Sequence, residues 1–372
     1  MKKKKVLCLV QLAPPVHGAS MMNGYLTGSK SVNDHFELEI INLQFTRSLK
    51  ELKKFSFAKI FKAIGYIFQI VRKMTRFKPD LVFFTLSSKG YAFYRDALYV
   101  FIIKLYNARL IYHLHSKGIN ENAQRNFLTR TIYKWVFKNT ECICSSEILG
   151  RDIENVSKTK PYIIPYGIPV TRTQGLERKK KNNKVPQILY LSNFIETKGI
   201  LVFIEALSII QKNGQVFNAR LVGGPADVTM EILENKIRDK HLSSFTEVVG
   251  PLYNGKKYEE YEKADLFVFP TFYENEAFPL VLLEALQYNL PVISTFEGGI
   301  PDMILNNENG MLVEGRNPEM LASKMSGLIN NPALREEMGE KAYIRFSNNY
   351  TLEHFEQNII RTFNEVINKQ QA

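Results

Sequence analysis

The sequence has little cysteine and none of the patterns in which cysteine usually serves a folding or metal-binding purpose. Its three cysteines, Cys8, Cys142 and Cys144, cannot all pair within one chain, and each lies in an apolar run typical of a buried strand. No second cluster of Cys or His stands at ligand spacing nearby, so core packing is favoured over a metal site. We expect free thiols in a reducing compartment.

Long apolar runs are also missing. A membrane-spanning helix needs roughly 18 uninterrupted apolar residues, whereas ALYVFIIKLY is interrupted by Lys104 and FSFAKIFKAIGYIFQIV by Lys59 and Lys62. The start, MKKKKVLCLVQLAPP, has the basic tip of a secretion signal but only a strand-length apolar run and no small-residue cleavage site. We therefore expect a first β-strand there, and a cytoplasmic protein.

Acidic residues are scarce in the first half of the chain. Residues 1–185 hold 33 Lys and Arg against 12 Asp and Glu, and residues 186–372 hold 16 against 25, for a net charge of +12. Segment 49–78 interleaves Phe, Ile and Tyr with Lys and Arg at helical spacing. It is either an interfacial helix on anionic lipid at the inner face of the cell membrane or an amphipathic crossover helix with a solvated basic face. Nucleic acid is disfavoured as a partner because no reader motif is present and the basic residues are spread over a whole domain.

Short β-rich runs alternate with helical patterns through both halves. This alternation predicts an α/β protein with parallel sheets and crossover helices, and the length of 372 residues favours two domains. The strand candidates are 6–11, 38–43, 81–86, 110–115, 142–145, 162–167, 187–192, 219–224, 246–250, 266–271, 291–295 and 311–315.

The domain boundary is predicted at the polar, basic and proline-bounded segment 169–186, which reads as a linker between domains 1–168 and 187–350. Two doubly wound domains in tandem would bind a ligand in a cleft at the carboxyl ends of their strands. Helical patterns follow near 317–330, 332–347 and 351–368, and the final segment, 351–372, is a candidate to cross back to the first domain.

A carboxylate lies in the middle of a predicted apolar helix. Pro279 suits the first helical position, and Leu280 through Leu283 cover the whole helix circumference, so Glu284 is expected to be buried. A buried carboxylate needs a partner. That partner is either solvent or an Arg at the helix end, or a pair of ligand hydroxyls.

The neighbouring segments favour ligand hydroxyls as the partner of Glu284. Glu276 lies just before the helix N-terminus, where free N–H groups and the positive end of the helix dipole face the loop. Gly298 and Gly299 stand at the predicted start of another helix, where an anionic group can approach backbone amides. Two helix N-termini facing one cleft predict a bound anion.

These ordered elements closely resemble glycosyltransferase family 4, whose members are retaining enzymes of the GT-B fold. The E-x7-E element is Glu276 and Glu284, and the strand Pro291-Val292-Ile293 and the pair Gly298-Gly299 follow it. The resemblance covers nearly the whole chain. It implies two Rossmann-like doubly wound domains facing across a cleft, with the acceptor in the first domain and the nucleotide sugar in the second.

Other segments carry the same resemblance. LSNFIETKGI is similar to the family's diphosphate-binding turn, with Lys198 matching and Asn193 at the position of an Arg; QLAPPVHGASMMNG matches its glycine loop at Gly18. YHLHSKG resembles the strand end whose His approaches the sugar, with His115 in better register than His113. IIPYGIP resembles a structural segment at the end of the first domain, with Tyr166 in place of Asn.

The resemblance implies the site residues. Catalytic roles fall to His115, Glu276 and Lys198. The donor-binding residues it implies are Gly18, Asn193, Lys198, Gly250, Tyr253, Glu276, Ala277, Phe278, Leu280, Glu284, Gly298 and Gly299. It implies no cofactor, and since no Asp-x-Asp pair is present to hold a divalent ion on the diphosphate, we expect no metal requirement.

The implied function is transfer of a hexosyl group, with retention of configuration, from a nucleoside diphosphate sugar to a glycan or lipid-linked glycan hydroxyl in cell-surface polysaccharide biosynthesis. A uridine diphosphate sugar is the commonest donor in such enzymes. Two other classes stay open. One is a GT-B sugar-nucleotide epimerase or hydrolase that needs no acceptor, and the other is a non-catalytic protein that binds nucleotide sugar or nucleic acid.

Overall fold

The computed structural model describes residues 2–45, 57–171 and 183–369. The chain divides into two compact units, Met1–Gly167 with Leu352–Ala372, and Ile168–Thr351. Most of the predicted linker, and residues 49–56 of the predicted interfacial segment, lie outside the described residues.

The first unit contains a six-stranded parallel sheet in the order β2-β1-β3-β4-β5-β6. Its strands are β1 (Lys4–Val10), β2 (Phe36–Asn42), β3 (Leu81–Phe84), β4 (Arg109–Leu114), β5 (Glu141–Cys144) and β6 (Tyr162–Ile163). The helices between them are α1 (Gly18–Gly28), α2 (Lys30–His35), α3 (Phe57–Arg76), α4 (Gly90–Lys104), α5 (Ile119–Ala123), α6 (Phe127–Phe137) and α7 (Glu147–Arg151). Central strands such as β3, LVFF, are buried along their whole length, as expected for strands covered by helices on both faces.

The second unit repeats this plan with the strand order β12-β11-β10-β7-β8-β9. Its strands are β7 (Gln187–Leu191), β8 (Asn218–Val222), β9 (Thr246–Gly250), β10 (Leu266–Val268), β11 (Val292–Thr295) and β12 (Gly310–Val313). Its helices are α8 (Ile200–Lys212), α9 (Met230–Asp239), α10 (Asn254–Lys263), α11 (Leu280–Gln287), α12 (Ile300–Met303), α13 (Pro318–Ile329) and α14 (Pro332–Asn349), and a 3₁₀ turn spans Glu196–Lys198.

The last helix, α15 (Leu352–Asn368), belongs to the first unit. Its Phe363 ring meets the rings of Phe36 and Phe83, each at a centroid distance of 5.5 Å. The Arg109 guanidinium at the start of β4 donates to the carbonyl of Val366 at 3.1 Å. The chain therefore returns to its first sheet after completing the second.

All twelve predicted strands are present, and the predicted α/β class with parallel sheets is confirmed. The differences lie at element ends. The strand predicted at 162–167 is only two residues long as β6, because Pro165 has no N–H to donate to a ladder. Helix α11 begins at Leu280 with Pro279 at the N-cap position, one residue later than expected.

The three cysteines are free and buried, as predicted. No helix in the described part of the chain combines the length and apolarity that crossing a membrane requires.

Each sheet has one point where the strand order reverses direction, and such points form ligand crevices at the carboxyl ends of the strands. In the first unit the order reverses between β1 and β3. In the second unit it reverses between β10 and β7. The residues that follow β7 and β10 are therefore the first place to look for a site in the second unit.

Candidate active site

A lysine and a glutamate meet at the strand-order reversal of the second unit. Lys198 ends the 3₁₀ turn after β7, and Glu276 lies in the loop between β10 and α11. The Lys198 Nζ atom is 2.9 Å from Glu276 Oε2, and the two side chains are 20% and 8% exposed. The Thr271 hydroxyl lies 3.5 Å from the same carboxylate oxygen. The structure thus brings together two of the three residues predicted to be catalytic.

A glycine allows the two segments that carry this pair to touch. Gly199 has a φ of +82°, and a Cβ atom added to it would lie 2.1 Å from the carbonyl oxygen of Pro270. Any other residue would therefore push the turn after β7 away from the β10 loop. The Lys198 ammonium also lies 5.4 Å from the ring centre of Phe269 and 5.5 Å from that of Tyr273, within the range of a cation–π contact.

A second glycine holds the Glu276 loop in place. Gly298 has a φ of +54°, and a Cβ there would lie 2.2 Å from the carbonyl oxygen of Glu276. The next amide, of Gly299, donates to the carbonyl of Ala277 at 2.7 Å. Gly298 is thus a point of close backbone packing, which the sequence did not indicate.

The predicted anion site at the start of α12 is not confirmed in the form expected. The amides of Gly299 and Ile300 already donate to the carbonyls of Ala277 and Glu297, at 2.7 and 3.1 Å. Residue 301 is a proline, which has no N–H, and α12 is only four residues long. Donor contacts by Gly298 and Gly299 remain predictions.

Glu284 is buried in α11, as expected, and has two protein partners. Lys257 Nζ forms an ion pair with Oε1, and the Tyr261 hydroxyl donates to Oε2 at 2.9 Å. Both partners come from one face of α10, four residues apart. Glu284 therefore has a cationic protein partner, as one of the two alternatives predicted, but the cation is a lysine and not an arginine. Ribose binding by Glu284 stays a prediction. The carboxylate still has lone pairs that can accept hydrogen bonds from ribose hydroxyls.

The remaining residues predicted to bind the donor in the second unit lie along the same edge of its sheet or just before α11. Asn193 follows β7 and is exposed; Gly250 ends β9 with a φ of +79°, and Tyr253, at the N-cap position of α10, is 73% exposed. Ala277, Phe278 and Leu280 are buried around the start of α11. These three therefore contribute their side chains to the packing of the loop.

In the first unit, His115 follows β4 and pairs with a tyrosine. Its Nδ1 atom is hydrogen-bonded to the hydroxyl of Tyr166, and its Nε2 atom is buried with no hydrogen-bond partner in the described residues. The ring of His113 lies 4.0 Å away, centroid to centroid. Tyr166, expected from sequence to have only a structural role, thus orients the imidazole.

Burial keeps these histidines neutral. It lowers the pKa of His113 to about 3. Burial, followed by the neighbouring His113 and His17, holds the pKa of His115 well below its ordinary value. The pKa of the Tyr166 hydroxyl is raised by burial. An uncharged cluster results, which can exchange hydrogen bonds with hydroxyl groups at neutral pH.

His17 is close enough to His115 to influence its pKa, and the sequence did not single it out. It is the N-cap of α1, where its Nδ1 accepts from the amide of Ser20 at 3.3 Å and its own amide donates to the Ser20 hydroxyl at 3.0 Å. Gly18 follows at the first helical position, and a Cβ on it would meet no atom within 4 Å. Because histidine is an uncommon N-cap, no local pattern indicated this role. Lys257 and Tyr261 were missed as well.

No group of three or more His, Cys, Asp or Glu side chains is arranged to hold a metal ion within residues 2–45, 57–171 and 183–369. Independence from metal ions remains a prediction about the reaction.

Comparison with known proteins finds a family match within the second unit. Residues 172–345 match the family model described as "Glycosyl transferases group 1". An uncharacterized glycosyltransferase of Methanocaldococcus jannaschii is 26% identical over 242 residues, which are 64% of this chain and 63% of that protein. The capsular polysaccharide biosynthesis glycosyltransferase CapM of Staphylococcus aureus is 28% identical over 236 residues, 58% of this chain and 59% of that protein. The matched regions thus span about three fifths of these two relatives.

Solved structures match over both units. A glycosyltransferase from Rickettsia africae has a TM-score of 0.79 with 20% identity, covering 100% of both chains. Anabaena HepE in complex with UDP-glucose has a TM-score of 0.70 with 18% identity, covering 97% of this chain and 99% of that one. The predicted fold of two Rossmann-like domains is therefore confirmed, and residues 172–345 are similar to the group 1 glycosyl transferases.

Proposed function

We propose that the protein is a retaining glycosyltransferase. It moves a hexosyl group from a uridine diphosphate sugar to a hydroxyl of a glycan or lipid-linked glycan, without a metal ion, in cell-surface polysaccharide biosynthesis. The observation that carries the proposal is the pair of Lys198 and Glu276 at the strand-order reversal of the second unit. The resemblance to family 4 implies a catalytic role for both residues, and their pairing supports the proposal.

The chemical demand on the site comes from the leaving group. When the bond from the sugar to the diphosphate breaks, negative charge grows on the phosphate and positive charge on the sugar ring. Lys198 has three N–H donors, and its bond to Glu276 leaves capacity for phosphate oxygens. Glu276, buried beside it, is assigned to the sugar hydroxyls and to the charge that develops at the reacting carbon.

Two further residues take roles in this proposal. Glu284 accepts from the ribose hydroxyls with the lone pairs that Lys257 and Tyr261 leave free. His115 approaches the primary hydroxyl of the sugar near the reaction centre as a neutral imidazole, since its pKa is held low by burial.

The relatives support the substrate class. Their names include a capsular polysaccharide biosynthesis glycosyltransferase and an amylovoran biosynthesis glycosyltransferase of Erwinia amylovora, 32% identical over 179 residues. The structurally similar Anabaena protein was solved with UDP-glucose. These names favour a nucleotide sugar as donor and a polysaccharide precursor as acceptor.

The test begins with thermal-shift screening of nucleotide sugars, because a donor at 100 times its dissociation constant stabilises the folded protein by about 2.7 kcal/mol. The stabilising donor is then incubated alone, with acceptors, and with EDTA. We expect a glycoside whose anomeric proton coupling in NMR matches that of the donor. Sugar release or epimerisation without an acceptor would instead support a hydrolase or epimerase, an inverted anomer would contradict retention, and activity restored only by magnesium would contradict metal independence.

A further inference from the structure

Helix α4 carries a continuous apolar stripe on its solvent side. Tyr91, Tyr94, Leu98, Phe101 and Leu105, just past its end, are 95%, 44%, 48%, 49% and 66% exposed. They recur at intervals of three and four residues, so they lie on one side of the helix. A helix that packs against a sheet and faces water normally carries polar residues on that side.

The opposite side of α4 is apolar as well, and it faces the core. Phe93, Tyr99, Val100 and Ile103 are completely buried. The only acidic residue of the helix, Asp96, is also buried, where it pairs with Arg95. A helix that is apolar on all sides is typical of one that is covered on all sides. We therefore expect a binding partner, outside the described residues, to cover the outer stripe.

The neighbouring helices extend the apolar surface. Helix α4 packs against α3, where the Tyr99 hydroxyl donates to the carbonyl of Ala63 at 3.2 Å, and against α6, where the rings of Phe101 and Trp135 lie 6.1 Å apart. We call the exposed apolar residues of these three helices the outer face. It comprises Ile60, Phe61, Ile64, Phe68 and Val71 of α3, Tyr91, Tyr94, Leu98, Phe101 and Leu105 of α4, and Phe127, Leu128 and Trp135 of α6.

The charged residues of these three helices are almost all basic, and one of them, Lys73, is paired with Glu39 of β2. Helices α3, α4 and α6 contain nine Lys and Arg, and their only acidic residue is the buried Asp96. A symmetric contact with a second copy would place this basic surface against itself, and facing like charges oppose association. The outer face is complementary to an extended anionic surface with an apolar interior.

We propose that the outer face binds the surface of an anionic lipid bilayer. Tyr and Trp side chains are favoured at the boundary between lipid headgroups and acyl chains. The outer face exposes three of them, Tyr91, Tyr94 and Trp135. The exposed Lys62, Arg72 and Lys134 meet the anionic headgroups. The sequence indicated only segment 49–78, and helices α4 and α6 were not part of that prediction.

The experiment is co-sedimentation with sucrose-loaded vesicles, either of mixed phosphatidylglycerol and phosphatidylcholine or of phosphatidylcholine alone. The full chain should bind the anionic vesicles. The triple variant Tyr91→Ser, Phe127→Ser, Leu128→Ser should partition at least tenfold less, in low and in high salt. The variant Lys62→Gln, Arg72→Gln, Lys134→Gln should lose binding mainly in low salt, where headgroup attraction is strongest.

Controls distinguish binding by the outer face from nonspecific hydrophobic adsorption and from effects on catalysis. The substitutions Val216→Ser and Ile344→Ser remove exposed apolar residues, 59% and 56% exposed, from the second unit and should leave vesicle binding unchanged. Circular dichroism should show every variant folded. Donor hydrolysis or transfer to a water-soluble acceptor should be equal in the parent and the triple variant, so a failure of the proposed function leaves the vesicle result standing.

Three outcomes would overturn the proposal. The parent chain does not sediment with anionic vesicles, or the triple variant sediments as well as the parent. In the third, sedimentation velocity shows a dimer that the triple variant abolishes while vesicle affinity is unchanged, and a second copy is then what covers the outer face.

Discussion

The candidate site residues of the two units differ in how their buried polar groups are paired. In the second unit, Glu276 and Glu284 are both buried carboxylates, and each has its own lysine, Lys198 and Lys257. In the first unit, His113 and His115 are buried, and among the described residues neither ring has an acidic partner; the pKa of each is lowered. The two histidines, buried without a counter-charge, are therefore held in their neutral form.

Under the proposed function, this contrast corresponds to two different tasks. A unit with fixed cations beside its carboxylates can meet a charged diphosphate. A unit with neutral imidazole and phenol groups can exchange hydrogen bonds with sugar hydroxyls without repelling or attracting charge. Both statements can be tested by changing one partner at a time.

Removing the cation from the predicted reaction centre should have the largest effect. Lys198→Ala should lower kcat/KM roughly 10²- to 10³-fold, because a positioned donor to a developing anion is worth about 3 to 4 kcal/mol. Lys240→Ala, which breaks a more exposed pair with Glu205 in the same unit, is the control and should be close to the parent. Activity of Lys198→Ala within twofold of the parent would remove Lys198 from the mechanism.

Breaking the other ion pair of the second unit should act on stability. Lys257→Met leaves the buried Glu284 with Tyr261 as its hydrogen-bond donor, and losing one member of a buried pair costs about 3 kcal/mol. Urea unfolding measures the change. Adding Glu284→Gln to this variant should recover part of the loss, since the unpaired charge is then gone.

Lys263→Met is the matched control on the same helix. Lys263 is 59% exposed in its contacts with Glu259 and Glu260, so its loss should change stability by under about 0.5 kcal/mol. Equal effects of the two lysine substitutions would mean that the ion pair of Lys257 with Glu284 contributes no more to stability than an exposed pair.

In the first unit, acid should be the sensitive variable. The folded pKa of His113 is about 3, whereas an unfolded histidine titrates near 6.5. Between these values the unfolded chain binds more protons, so the free energy of unfolding falls as the pH decreases from about 6.5, by up to about 1.4 kcal/mol per pH unit for one such group.

His113→Leu removes this group and should flatten the decline relative to the parent. The exposed His241, changed to Asn, is the control for the loss of one histidine. Urea titrations at several pH values between 4.5 and 7 compare the three proteins. An identical slope in the His113 variant would show that this ring takes up its proton in the folded state as easily as in the unfolded one.

The smallest effect is expected at the tyrosine beside His115. Tyr166→Phe keeps the ring and deletes the hydroxyl bonded to Nδ1, and one net hydrogen bond is worth about 0.5 to 1.5 kcal/mol. We expect kcat to fall about two- to tenfold with little change in KM for the donor. Tyr106→Phe, at an exposed position, should leave kcat unchanged. A selective rise in donor KM would instead point to a role of Tyr166 in binding.

How much was predictable differs between elements and contacts. Strands such as β3 and β11 are short apolar runs, and helices such as α13 and α14 begin with Asn-Pro signals, so local pattern was enough to locate them. The burial of Glu284 was predictable from its leucine neighbours. Its partners were not, because Lys257 lies 27 residues away in a helix whose sequence is mostly charged.

The candidate site shows the same limit. The resemblance pointed to Lys198 and Glu276 separately, but their ion pair joins residues 78 positions apart. The sequence predicts that Gly298 binds an anion. Its close contact with the backbone of Glu276 depends on the packing of two loops that are distant in sequence. The fold also brings His17 and Tyr166 near His115.

By itself, the sequence determined the alternation of strands and helices, the burial of the cysteines and the separation of a basic first half from an acidic second half. These properties depend on periodicity and composition, which act over a few residues at a time. The tertiary structure alone decided which lysine neutralises which glutamate, which tyrosine orients His115, and that three apolar helix surfaces lie side by side. Those outcomes depend on how distant segments pack, and no local pattern records that.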